Sequence, residues 1–207
     1  MKELLVATTN PAKLAEYQLL LRDFGLTVIS LREIGIAQAA PEDAASFAEN
    51  AAIKARFYFD LARVPTLADD GGLEVDALDG APGVRSHRWL GVANPDDRML
   101  AEEVIRRMTG VAPERRTARI RAAAALTWFE SAVQREARAE AALEGVIADR
   151  CYHEVRAGFP YRSVLWLPER GCYLAELSEE EAAQLSQRRA VIERLSRALT
   201  GVATARE

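Results

Sequence analysis

The sequence predicts an α/β fold with a partly antiparallel sheet. Two observations carry that expectation. Short apolar runs alternate with segments of helical periodicity, the pattern of strands interleaved with helices. In the middle of the chain, Ala118, Ile120, Ala122 and Ala124 alternate with partners that begin as Arg119 and Arg121, the period of a half-buried strand.

Residues 4–7 read as a short buried strand, which Thr8, Thr9, Asn10 and Pro11 break. Pro11 suits the first position of a helix, with Asn10 as its cap. Leu14, Tyr17, Leu20, Leu21 and Phe24 recur at helical spacing, and Gly25 stops the helix before a return strand over residues 26–30. The polar loop QAAPEDAAS leads to a helix that Ser46 caps, with Glu49 placed for a capping box; it runs to about Ala62. Residues 66–68 are apolar, DDGG follows, and residues 73–78 suggest another strand before the turn DGAPG. NPDDRMLAEEVIRRMTG reads as a helix with Asn94 as cap and Gly110 as stop. Residues 117–143 have the alanine content of helices, yet their alternation favours two antiparallel strands. Residues 145–148 and 163–167 look like further strands, and the chain is helical from Ser178.

The 207 residues suit one domain or two closely joined lobes, and with no evident linker or repeat the chain reads as a single domain, 1–207. It is 49% hydrophobic and 28% charged, enough for a core and too apolar for a disordered chain. A formal net charge of -4 argues against a nonspecific nucleic-acid binder but not against a small anionic substrate held by local cations. The apolar start of MKELLVATTN is too short for a signal-peptide core, and no stretch has the length of a membrane span, so a cytoplasmic protein without membrane partners is expected. Cys151 and Cys172 form no C-x-x-C and read as reduced, buried thiols rather than a disulfide. Of the 27 cationic side chains only Lys2, Lys13 and Lys54 are lysines, and two of these fall in segments suited to phosphate.

Three segments have the composition for chemistry. ATTNPAK ends a strand and opens a helix, where free amides and the positive dipole end suit a phosphate and Lys13 adds a full charge; a capped helix start with a surface lysine is the alternative. SFAENAAIKA places Asn50 and Lys54 four apart on one helix face, aimed at a site or simply at water. LADDGG sets Asp69 beside Asp70, a repulsion that a divalent cation resolves; magnesium needs only one or two carboxylates beside substrate phosphates. The alternative there is an Asp-Gly turn. Glu74 and Asp76 share a face if the strand continues, and read as solvated.

In this order and spacing, ATTNPAK, SFAENAAIKA and LADDGGLEVDALDGAPGVRSHR resemble the inosine triphosphate pyrophosphatase family, and EGVI, AGFPYRSVLWLP and AELSEEEAAQLSQRRA extend the resemblance over nearly the whole chain. The resemblance implies an α/β fold with an elongated mixed β-sheet flanked by helices, two lobes and a substrate cleft between them. It implies a magnesium-dependent homodimer that hydrolyses nucleoside triphosphates of deaminated purines to monophosphate and pyrophosphate. Carried over by position, Asp70 is the catalytic aspartate, and Glu42, Asp69 and Asp70 are the metal side, with Asp69 supporting. Thr8, Asn10 and Lys13 would grip the triphosphate, joined by Lys54; Thr9, Asn50, Gly71, Phe159, Tyr161, Arg162, Gln187 and Arg188 complete the implied substrate-binding set, whose altered C-terminal positions in the family contact the base and help hold the phosphates.

The chain departs from the family pattern mainly in its C-terminal half. Pro160 stands for a glycine and Arg162 for an aspartate in GFPYRS; Ala182 stands for a lysine and Gln187 for a histidine in EEAAQLSQR. Gly71 replaces a serine and Ala44 a glycine. Losing such donors and acceptors from a base pocket shifts selectivity. Arg162 has the donors to read a purine carbonyl or to hold an extra anion. A pyrophosphohydrolase with shifted base preference therefore stands against a non-catalytic nucleotide-binding paralogue. A third reading is an interaction subunit using the surface near Trp89 and the helix after Asn94.

Overall fold

The computed structural model describes residues 2–92 and 95–205. Its elements run β1 (Lys2–Val6), α1 (Pro11–Leu21), β2 (Leu26–Ser30), α2 (Phe47–Ala62), β3 (Thr66–Val75), α3 (Asp97–Arg107), β4 (Thr117–Glu130), β5 (Val133–Ile147), β6 (Leu165–Leu167), β7 (Cys172–Tyr173), α4 (Glu179–Leu185) and α5 (Gln187–Thr204). The strands pair in the order β2-β1-β3-β4-β5-β6-β7 in one seven-stranded sheet. β1 is parallel to both β2 and β3, while β6 is antiparallel to β5 and β7, so the sheet is mixed, as the sequence pattern required. Ser131 and Ala132, both at positive φ (49° and 64°), form the two-residue turn that reverses β4 into β5.

The chain divides into two compact units: residues 1–70, 122–141 and 188–207 form one, and residues 71–121 and 142–187 the other. In the first, Leu4, Val6, Leu67, Leu126, Leu195 and Leu199 are among the residues of a continuous core. In the second, Leu73, Val75, Leu100, Val104, Val164 and Leu165 belong to a core of its own.

Several sequence expectations are corrected. DDGG is neither a strand end nor a turn: it lies inside the ten-residue strand β3. That strand stops at Val75, and residues 76–78 turn in a 3-10 helix. Residues 145–147 are the end of β5 rather than a separate strand, and residues 160–163 form a 3-10 turn ahead of the short β6. Helix α3 begins at Asp97, capped by Asp96 Oδ1 accepting from Met99 N at 2.7 Å; Asn94 lies outside the described residues. The C-terminal helix is broken at Ser186, whose ψ of 132° is extended. Glu74 and Asp76 are not simply solvated: Arg119 pairs with both, at 3.4 and 2.7 Å. The two cysteines are free thiols, but half-buried rather than buried. No described helix is long and apolar enough to cross a membrane.

Candidate active site

Successive side chains of a strand point to opposite faces, so placing DDGG inside β3 separates its two aspartates. Each gathers a different set of partners. Asp69 is buried, with Oδ1 accepting from Lys13 Nζ at 3.2 Å and Oδ2 from Arg188 Nε at 3.0 Å. Arg188 is buried too, and its Nη1 reaches Glu16 Oε2 at 3.3 Å. The charges alternate along this buried chain, from Glu16 through Arg188 and Asp69 to Lys13. Burial penalises the Asp69 carboxylate, but Lys13, Arg188 and Lys54 outweigh it and hold its pKa far below the ordinary 3.8. For Lys13 burial wins over the attraction of Asp69, and its pKa is lowered.

Asp70 keeps 15% of its side-chain surface and faces α2. Its Oδ2 accepts from Asn50 Nδ2 at 3.0 Å, and its Oδ1 from Lys54 Nζ at 3.4 Å. Lys54 Nζ also donates to Glu42 Oε1 at 3.0 Å, so one ammonium joins two carboxylates. Asn50 Oδ1 accepts from Ala44 N at 3.0 Å, which pins the loop carrying Glu42 beside Asp70. The four-residue spacing of Asn50 and Lys54 thus does aim both at one carboxylate, one helical turn apart on α2. Burial opposes the Lys54 ammonium, but Asp70, Asp69 and Glu42 outweigh it and its pKa is raised. The two lysines respond oppositely because burial and the repulsion of Arg188 and Lys54 act together on Lys13, whereas Asp70, Asp69 and Glu42 all favour the Lys54 ammonium.

At the start of α1, Asn10 Oδ1 accepts from Ala12 N at 2.9 Å and Lys13 N at 3.2 Å, and Asn10 N donates to Thr8 Oγ1 at 3.2 Å. The first-turn amides read from sequence as an anion site are capped here by Asn10 itself. Thr9 is exposed beside them.

Among the described residues no three His, Cys, Asp or Glu side chains stand together as a metal cage. The donors available at Glu42 and Asp70 are nonetheless hard carboxylate oxygens that already share one cation, which fits an ion such as magnesium that keeps most of its waters. Both oxygens of Asp69 already accept from cationic side chains.

Of the substrate-binding candidates, Gly71, Phe159, Tyr161, Arg162 and Gln187 lie in the second unit. Gly71 is half-buried in β3. At Gly72 a Cβ would fall 2.0 Å from Ser86 Oγ, so only glycine fits there. Arg162 stacks its guanidinium 3.9 Å from the centroid of Phe159. Tyr161 is buried and donates its hydroxyl to the Ser86 carbonyl at 2.6 Å. Gln187, also buried, opens α5 directly after the break at Ser186. Trp89 packs under Arg107, whose guanidinium lies 4.3 Å from the ring centroid.

Two residues of these networks escaped the sequence reading. Glu16 carries no motif signal, being one acidic residue on an amphipathic helix. Ser86 lies inside GVRSHR, where nothing local marks the serine as a contact of β3.

The Ham1 family model matches residues 4–198. A dITP/XTP pyrophosphatase of Geobacillus kaustophilus is 40% identical over 195 residues, covering 94% of this chain and 93% of its own. Among solved structures, a HAM1 protein from Coxiella burnetii superposes with a TM-score of 0.82 at 33% identity, over 97% of this chain and 99% of that one. A nucleoside-triphosphatase and dITP/XTP pyrophosphatase from Mycobacterium abscessus gives a TM-score of 0.72 at 33% identity, over 93% and 97%.

Proposed function

The chain belongs to the Ham1 family, and we propose that it hydrolyses nucleoside triphosphates to monophosphate and pyrophosphate, with non-standard purines of the dITP and XTP type as substrates. The observation that carries this reading is the division of labour on β3. Asp69 is locked between buried cations, while Asp70 is accessible, oriented at both oxygens and set beside a second carboxylate.

In this reading Asp70 takes the proton from a water that attacks the α-phosphorus. The bond from that phosphorus to the bridging oxygen breaks, and pyrophosphate leaves with the electron pair. Lys13 and Lys54 stabilise the charge on the leaving group, with Thr8, Thr9, Asn10 and Arg188 completing the phosphate side. Asn50 orients Asp70 and fixes the loop of Glu42. Magnesium would be held by Glu42 and Asp70, supported by Asp69; when bound it neutralises phosphate charge and acidifies a water. Lys54, which joins Glu42 and Asp70 here, would then serve the phosphates. Gly71, Phe159, Tyr161, Arg162 and Gln187 serve the base side. A cytoplasmic homodimer without nucleic-acid or membrane partners completes the proposal.

The test is pyrophosphate release from standard and deaminated purine triphosphates with magnesium, beside the Asp70→Asn variant. Turnover of dITP or XTP, lost in the variant and on chelation, is the expected result. No turnover above the variant on any triphosphate overturns the reading. Sedimentation of the purified protein checks the dimer.

A further inference from the structure

We propose that Ser86 is a positioning residue for base selection: with Tyr161 it ties the strand just after Asp70 to the turn that carries Phe159 and Arg162. The proposal rests on the pyrophosphohydrolase reading above. Ser86 is 3% exposed, and its polar groups are all engaged. Its amide donates to Gly83 O at 3.0 Å. Its hydroxyl donates to the same oxygen at 2.7 Å and accepts from Leu73 N at 3.2 Å. Its carbonyl accepts from Tyr161 Oη at 2.6 Å.

The strand side of this contact has no slack. A Cβ on Gly72 would lie 2.0 Å from Ser86 Oγ, 2.8 Å from Ser86 Cβ and 2.9 Å from Gly83 O. Ser86 therefore presses on β3 two residues beyond Asp70, and any shift of Ser86 is felt there.

The turn side is equally constrained. Burial raises the Tyr161 pKa, above all other influences, so its hydroxyl stays protonated and donates at every working pH. Three residues earlier, Gly158 N donates to Asp97 Oδ2 at 2.6 Å. The turn is clamped at Gly158 and at Tyr161. Phe159 lies between the clamps and Arg162 directly after the second, stacked on the Phe159 ring at 3.9 Å.

That pair has a defined chemistry. A flat ring offers a stacking surface, and a guanidinium offers donors and no acceptor. It pairs with the carbonyl edge of a 6-oxopurine and meets a donor on a 6-aminopurine. Discrimination then depends on the placement of the Arg162 and Phe159 planes, which the contact from Ser86 to Tyr161 sets. Loosening it blurs the choice of base and leaves the phosphate grip, which depends on Lys13 and Lys54, intact.

The measurement is the ratio of kcat/KM for ITP to that for ATP, with inhibition by pyrophosphate reporting the phosphate side. Tyr161→Phe removes one hydroxyl and keeps the ring. The ratio is expected to fall about tenfold, the worth of one buried hydrogen bond, chiefly through KM for ITP and with pyrophosphate inhibition unchanged. Ser86→Ala is expected to lower the ratio similarly, and the double variant to be no worse than either single one, because both cut one connection. An unchanged ratio in Tyr161→Phe, or equal loss of kcat on both nucleotides, overturns the proposal; so does additivity in the double variant. If Ser86→Ala melts below the assay temperature, Tyr161→Phe decides alone. Absence of wild-type turnover on every triphosphate overturns the hydrolase reading and this proposal together, whereas wild-type turnover with an unchanged Tyr161→Phe ratio overturns this proposal only.

Discussion

Around the two aspartates of β3, position is set by pairs of charged side chains, whereas in the turn from Gly158 to Ser163 each holding bond has a main-chain group at one end. Lys13, Arg188 and Lys54 all end on carboxylates. In the turn, the Gly158 amide meets Asp97, the Tyr161 hydroxyl meets a carbonyl, and Ser163 Oγ donates to the Pro160 carbonyl at 2.7 Å. The two constructions differ in what they demand of the sequence. Removing one member of a buried charge pair strands its partner, so residue identity is fixed. A turn held at Gly158, Tyr161 and Ser163 keeps its shape while the side chains displayed between those points change. Against the family pattern that the sequence resembles, the charged residues of the first region are kept, whereas in the second Arg162 stands for an aspartate and Pro160 for a glycine.

The largest effect should come from setting the two aspartates against each other. Asp70→Asn keeps size and shape but removes the base, and kcat should fall about 10³-fold with the melting temperature nearly unchanged. Asp69→Asn should do the reverse in kind: it takes from Lys13 its carboxylate partner and leaves that ammonium facing Arg188 in the interior, at a cost of about 3 kcal/mol of stability in urea unfolding. If both variants lose activity while keeping full stability, the division between an acting and a supporting aspartate is wrong.

Acid titration sharpens the same contrast. The folded pKa of Asp69 lies below its unfolded value of 3.8. Its contribution to stability is therefore complete above 3.8 and is lost as pH falls through the lower folded value. Urea midpoints of the wild type should drop steeply below about pH 4, and Asp69→Asn should flatten that limb.

How much of this was legible beforehand follows from the same physics. The start of α1 at Pro11, its cap Asn10, and α2 from Ser46 to Ala62 were readable because caps and breakers act locally. The path of β3 through DDGG was not. Aspartate and glycine each favour turns, and what keeps them extended lies far off in sequence: Lys13, Arg188 and Lys54 neutralise the carboxylates, and Ser86 fills the space above Gly72. The break at Ser186 escaped for a related reason. The helical pattern runs on through LSQRRA, but Arg188 is drawn to Asp69 and Glu16, more than a hundred residues away in sequence. Glu16 itself could not be found, since its partner is defined only by folding. The motif residues were legible as a set, and the resemblance singles out Asp70 with Asp69 supporting; the separate partners of the two aspartates show only in the folded strand β3.

Gly72→Ala carries the comparison to the junction with the second region. The added methyl meets the Ser86 hydroxyl and the Gly83 carbonyl, an overpacking expected to cost about 1–3 kcal/mol. Because the strain enters on the strand beside Asp70, kcat should fall along with stability. A variant that loses stability alone would separate the strand's packing from its chemistry.

The smallest effect belongs to Arg162, and it tests the second region most directly. Its guanidinium stacked on Phe159 contributes about 0.5–1 kcal/mol at a half-exposed site, so Arg162→Ala should barely move the melting temperature. What it removes is the planar donor. The preference for ITP over ATP should fall about fivefold, with the KM for ITP rising and pyrophosphate inhibition unchanged. Arg162→Lys separates two contributions, because lysine keeps the charge but neither stacks flat nor presents a fixed fork. If Arg162→Lys behaves like Arg162→Ala, the geometry of the plane selects the base; if it behaves like the wild type, charge alone does. The second outcome would make the turn work by the same rule as the aspartates, and the contrast between the two regions would fail at the residue where the chain departs furthest in charge from its family.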